Sequence, residues 1–117
     1  AAAVRRALAE MTAKTLPQDQ PLCAVFLPDA DAKLCRSLLT AAQKRKNRVC
    51  AVFSGSDREG YTGVIGSESV DLSPLAGLLR QELSARGGGA AACWQGRIDA
   101  SQHTIETCLA RFAAAAE

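Results

Sequence analysis

Apolar residues gather along this chain in two kinds of pattern. "PLCAVFLP" and "RVCAVFSG" are continuous apolar runs, which suit strands buried on both faces. Between them, "DADAKLCRSLLTAAQKRK" opens on aspartates, carries Leu34, Leu38 and Ala42 at helical spacing and closes on cations. That pattern predicts a helix whose charged ends suit its dipole. Strand, helix and strand in this order predict a right-handed crossover between parallel neighbours. "YTGVIGS" predicts a third strand, and the short polar "SDREG" before it predicts antiparallel pairing with the second.

Helical spacing returns after Ser73 and Pro74, a pair that suits a helix start, with Leu75, Leu78, Leu79 and Leu83 as the buried stripe. Arg86 and Gly87 are expected to close this helix. A glycine loop, a strand over "AAACWQGRI" and a last helix follow. Asp99 with Gln102 resembles a capping box, and Ile105, Cys108, Leu109 and Phe112 form the apolar face. The order predicts an α/β fold: a single compact domain with a mixed, mostly parallel sheet flanked by helices. The opening "AAAVRRALAEMTAK" is helical by propensity, with Val4, Leu8 and Met11 on one stripe and no capping residue before it. Residues 1–16 are therefore expected to be a connector from a missing upstream region, and residues 17–117 the domain itself.

Composition narrows the chemistry. The chain has 117 residues, 48% hydrophobic and 22% charged, with a formal net charge of +2. These are the proportions of a globular domain, and the apolar runs are too short to cross a bilayer. With no signal-peptide layout either, a cytoplasmic domain without membrane contact is expected. The net charge is too small to imply nucleic-acid binding, so position must decide. Lys44, Arg45, Lys46 and Arg48 crowd into "QKRKNR", with Lys33 and Arg36 earlier on the same helix. Such a run is either a solvated helix end or a phosphate contact.

Cys23, Cys35, Cys50, Cys93 and Cys108 are widely spaced, with no C-x-x-C pair and one histidine, His103, in the chain. This excludes a usual structural zinc site and favours buried, reduced thiols. No catalytic constellation, metal site or cofactor motif is present, and "GVIGS" is not a nucleophile elbow. The G-x-x-G from Gly63 to Gly66 falls in a strand pattern and so is not a clamp on a nucleic-acid backbone. His103 is expected to face solvent and Trp94 to pack in the core.

Gly87, Gly88 and Gly89 stand in succession before the only tryptophan. Order excludes a phosphate loop of the strand-to-helix kind, because here the run leaves a helix C-terminus. The glycines form either a tight turn or a concave nest of amides facing a ligand, with Arg86 and Arg97 beside it.

"GGG", a few small residues, "WQG" and a terminal amphipathic helix together resemble the end of the DHH-associated domain. That domain closes alanyl-tRNA synthetases, alanyl-tRNA editing proteins and DHH-type phosphoesterases. Gly87, Gly88, Gly89, Gln95 and Gly96 carry the resemblance, and the order of elements extends it over nearly the whole chain. The phosphoesterases usually place histidine after the glycines, where this chain has Ala90. The Gln95–Gly96 pair is more similar to the synthetase and editing branch. No H-x-x-x-H editing pattern and no synthetase class signature occur.

The resemblance thus implies a non-catalytic accessory domain that contacts tRNA, by implication tRNA-Ala, beside an upstream catalytic domain. The binding candidates are Arg86, Gly87, Gly88, Gly89, Gln95, Gly96 and Arg97, together with Lys44, Arg45, Lys46 and Arg48. The alternatives are the substrate-binding domain of a DHH phosphoesterase acting on short oligonucleotides or dinucleotides, and a homodimerisation module.

Overall fold

The computed structural model describes residues 14–116. Apart from Lys14, Thr15 and Leu16, the expected connector with its Val4, Leu8 and Met11 stripe lies outside the described residues. The elements are β1 (Leu22–Leu27), α1 (Ala32–Lys44), β2 (Val49–Ser56), β3 (Gly60–Gly66), α2 (Ser73–Leu83), β4 (Arg86–Ala90), β5 (Cys93–Ile98) and α3 (Gln102–Ala115). They form an α/β domain around one five-stranded mixed sheet, in the order β1-β2-β3-β5-β4.

The sheet is less parallel than the sequence suggested. β1 pairs parallel with β2, as the crossover through α1 requires, but β2–β3, β3–β5 and β5–β4 are antiparallel. β4 does not dock on β3 after α2. Instead β5 folds back by a tight turn at Ala91 and Ala92 and takes the place between them. β1 is an edge strand and mostly half-buried, rather than covered on both faces.

Helix ends follow local hydrogen bonding. The Asp31 carboxylate accepts from the Leu34 amide at 2.8 Å, so the acidic start of α1 is a true N-cap. Ser73 opens α2 but does not cap it; Leu72 holds the cap position, and Asp71 accepts from the Ser73 amide at 2.9 Å. That bond holds the Asp71 carboxyl below the ordinary range. α2 ends at Leu83 because Ser84 turns left-handed, with φ 52°. Arg86 and Gly87, expected to terminate it, are already in β4. Ser101, not Asp99, caps α3 by accepting from the Thr104 amide.

Asp57 reaches from the β2–β3 turn to the start of α3. One of its oxygens accepts from the Gln102 amide at 2.8 Å and from the Tyr61 hydroxyl at 2.7 Å. These bonds hold its carboxyl below the ordinary carboxylate value, while burial first, and then the Asp57 acceptor, push the Tyr61 phenol up to about 12. A carboxylate with a depressed folded-state pKa stabilises the fold above its unfolded value and loses that contribution as pH falls through the folded one. Acidification below about pH 4 is therefore expected to loosen the first turn of α3. Asp57→Asn should show a smaller fall in melting temperature over the same acid range.

The two sheet faces are covered unequally. Phe53, Ile65, Trp94 and Ile98 pack beneath Leu72, Leu75 and Leu79 at α2 and beneath Ile105 and Leu109 of α3. On the opposite face α1 places Cys35 and Leu38 against Val52 and Val64, and Ala42 against Cys23 and Cys50. Phe26 extends the first core by stacking on Phe53 at 5.4 Å and meeting Tyr61 edge-on at 5.3 Å. Trp94 is 3% exposed, as expected of a core residue, and His103 is exposed. Cys23, Cys35, Cys50 and Cys108 are buried free thiols, with burial raising each and pushing Cys50 up to about 12. Cys93 departs from that expectation and is exposed beside the β4–β5 turn.

Candidate nucleic-acid interface

α1 lies over β2 and β3, so among the described residues no helix covers the same face of β5 and β4. Side chains alternate across a sheet, and Val64 faces α1. The register aligns Val64 with Gln95 and Gly88, and Thr62 with Arg97 and Arg86. Those positions consequently share the open face. Trp94 and Gly89 align with Ile65 and face the α2–α3 core instead.

Where α1 stops covering the sheet, a groove of about 570 Å³ opens between its first two turns and β5, lined by Cys35, Arg36, Thr62, Val64, Gln95 and Gly96 among others. Its walls mix apolar surface with an amide, a hydroxyl and a guanidinium. Those groups can stack against a planar ring, read its edge and hold an anion. Gln95 and Gly96 were legible as candidates from the glycine-containing motif. Arg36 stood out only as an earlier cation on the basic helix and Thr62 not at all, because nothing in the sequence shows that β5 is inserted next to β3.

The glycine run forms a strand, not a loop. Neither Gly87, Gly88 nor Gly89 has a positive φ, so of the two alternatives open in the sequence the concave nest, which needs alternating right- and left-handed backbone, does not form, and the run is a strand rather than a tight turn. The three positions differ in what surrounds them. A Cβ at Gly87 would stand 2.3 Å from the Gln95 carbonyl oxygen, and one at Gly89 2.0 Å from that of Cys93. At Gly88 a Cβ would meet nothing within 4 Å. Two of the glycines thus permit close approach of β5, and the third leaves the open face bare.

Arg86 and Arg97 share one partner. Asp99 accepts from Arg86 at 3.0 Å and pairs with Arg97 at 2.9 Å, while Arg97 also donates to the Glu59 carbonyl. The trio carries one net positive charge and anchors both strands to the β2–β3 turn. All three side chains remain partly exposed, so the pairs add little stability.

The second cluster is elsewhere. Lys44, Arg45, Lys46 and Arg48 lie where α1 ends and β2 begins, whereas Arg97 is level with Ser54 near the end of β2. The length of that strand, roughly 20 Å, separates the two groups. Arg45 donates to the carbonyls of Leu16 at 2.8 Å and Lys14 at 3.2 Å, and Arg48 to that of Ala116 at 3.1 Å. Buried Asn47 ties the same corner to Gln20, Pro17 and Ala42. These two arginines hold chain segments in place; Lys44, Lys46 and Arg48 are exposed, and Arg45 is half-buried.

Among the described residues no group of three or more histidine, cysteine, aspartate or glutamate side chains is arranged to hold a metal ion, and no helix is long and apolar enough to cross a membrane. No family model matches the chain, and no curated protein does. Among solved structures it is similar to the C-Ala domain of alanyl-tRNA synthetase from Aquifex aeolicus, with a TM-score of 0.61 at 17% identity over 87% of this chain and 97% of that domain. The chain therefore has the fold of a C-Ala domain, the architecture that the glycine motif and the order of elements implied.

Proposed function

We propose that this chain is an accessory domain of alanyl-tRNA synthetase type, which contacts tRNA through the open β3–β5–β4 face and leaves catalysis to an upstream domain of the same protein. The observation that carries this reading is the groove between α1 and β5, where Arg36 and Thr62 join the motif residues Gln95 and Gly96. The likeness to a C-Ala domain supports it. In this reading the protein works in the cytoplasm, tRNA-Ala is the RNA, and the parent is either a synthetase or an editing protein. Lys44 and Lys46 form a secondary phosphate contact at the far end of α1.

Titrating tRNA at several salt concentrations tests the proposal. Affinity is expected to fall with salt along a log–log slope of roughly 0.7 to 0.9 per neutralised phosphate. Arg36→Glu is expected to weaken binding by about tenfold or more, since it replaces attraction by repulsion at the groove mouth. A combined Lys44→Glu and Lys46→Glu variant should lower the slope with a smaller loss of affinity. Absence of binding at low salt, or an unchanged affinity in Arg36→Glu, would overturn the assignment of this face.

A further inference from the structure

The two faces of β1 are covered unequally. α3 packs against the face that carries Leu22, Ala24 and Phe26. Cys23, Val25 and Leu27 share the α1 side of the sheet, but α1 sits over β2 and β3. Among the described residues Val25 and Leu27 are therefore left half-buried, although the run "LCAVFL" suits a strand covered on both faces. α1 carries a stripe to match. Leu34, Leu38, Ala41 and Arg45 recur at helical spacing. Leu39 and Gln43 lie instead against Gly66 of β3, and Cys35 lines the groove beside β5. The first stripe consequently faces β1, with Leu38 buried and Leu34 and Ala41 half-buried. Val25 and Leu27 on one wall, and Leu34 and Ala41 on the other, bound an apolar furrow on the opposite side of α1 from the groove.

One end of the furrow is closed by the chain itself. Leu16 is buried against Cys23, Ala42 and Cys50, and Arg45 donates to the carbonyls of Leu16 and Lys14. Lys14 is helical, so the guanidinium stands at the carbonyl end of a helix, where a cation is favoured. Residues 1–13 thus reach the domain at the foot of the furrow. Their sequence puts Val4, Leu8 and Met11 on one helical stripe and Arg6 and Glu10 on the other side. From Val4 to Met11 a helix rises about 10 Å, the same as α1 from Leu34 to Ala41. We propose that residues 1–13 lie in this furrow as a helix parallel to α1, with Met11 against Val25 and Ala41 and Val4 against Leu27 and Leu34. Tethering at Leu16 gives this segment an effective concentration that a free partner does not reach. Its length and apolar spacing fit the walls, and it completes the cover that the β1 sequence suits. It also brings Ala1 to the end of α1 that bears Arg36, so an upstream domain enters beside the groove and not about 20 Å away, at the Lys44 end of the helix.

Met11 is the chain's one methionine, so its methyl group is a single probe for nuclear magnetic resonance. In the whole 117-residue chain, with that methyl labelled by carbon-13, nuclear Overhauser contacts are expected to the methyl groups of Val25 and Ala41. Leu8→Asp, which sets a charge in the furrow, is expected to lower the melting temperature by about 5 °C or more. It should also speed amide exchange along β1 by about tenfold. Arg6→Asp, on the outer side of the same helix, should change neither. If Leu8→Asp fails to fold, the wild-type contacts decide alone. Met11 contacts to the α2–α3 side or to the open β5–β4 face overturn the proposal, as does the absence of any contact beyond residues 1–16. Contacts that form only between differently labelled copies overturn it too, because the occupant is then a second copy. A folded Leu8→Asp with the wild-type melting temperature and β1 exchange overturns it as well.

Discussion

Gly89→Ala is expected to destabilise the domain by about 1–3 kcal/mol, the usual cost of forcing an extra carbon into occupied space. The new Cβ would stand 2.0 Å from the Cys93 carbonyl oxygen and 2.8 Å from the Trp94 Cα. β4 must then move away from β5 or the hairpin must reshape. Gly87→Ala should behave similarly, with contacts of 2.3 Å to the Gln95 oxygen and 2.6 Å to the Gly96 Cα. Gly88→Ala should leave stability unchanged or raise it by about 0.4–1 kcal/mol, because an extended strand accepts alanine and the unfolded chain loses freedom. Urea denaturation of the three variants checks the order. A common loss across all three would show that the run acts as a unit. A loss confined to Gly88→Ala would reverse the packing account.

The largest single loss is expected at Trp94. It packs among the α2–α3 core residues beneath the strand that carries the groove, and its ring adds to the crowding at Gly96, where a Cβ would meet the Arg86 carbonyl oxygen at 2.3 Å, the Gly87 Cα at 2.7 Å and Trp94 Cζ2 at 2.9 Å. Trp94→Ala should cost about 3–5 kcal/mol, combining lost transfer energy with the cavity left behind. A domain of this kind has a net stability of only about 5–15 kcal/mol, so the variant is near its folding limit at room temperature. Trp94→Phe, which keeps an aromatic ring, should lose less. Unfolding by circular dichroism measures both. If the fraction of Trp94→Ala that remains folded binds tRNA with native affinity, the tryptophan supports the groove only through stability.

Much of this arrangement was legible in the chain. Apolar runs located β1 and β2, helical spacing located all three described helices, and the short "SDREG" turn set the direction of β3. The glycines and Gln95–Gly96 marked the strands that carry the candidate site. What remained hidden depends on long-range pairing. β4 leaves α2 and is nonetheless kept from β3, because β5 satisfies both of its neighbours at once. Residues from Cys35 to Thr62 therefore meet residues after Cys93 only in the folded sheet. The exchange of roles at helix ends was hidden for a related reason. Asp99 has the spacing of a cap, but Arg86 and Arg97 compete for its carboxylate, and Ser101 and Asp57 meet the amides of α3 instead. The basic run looked uniform in sequence. Folding divides it, because Arg45 and Arg48 are long enough to reach carbonyls of distant segments while Lys44 and Lys46 point to solvent.

The place of β5 between β3 and β4 has a consequence for how local opening proceeds. Among the described residues β2 and β3 are paired on both sides, whereas β4 holds to the sheet through its hairpin partner alone. β4 can therefore peel away by breaking one ladder, leaving the Phe53–Ile65 core closed. Amide hydrogen exchange should read this as a gradient, with Val52 and Val64 opening only on global unfolding and Gly88 exchanging through a smaller, local fluctuation. The glycine strand would then be the first part of the sheet to yield and the last to re-form.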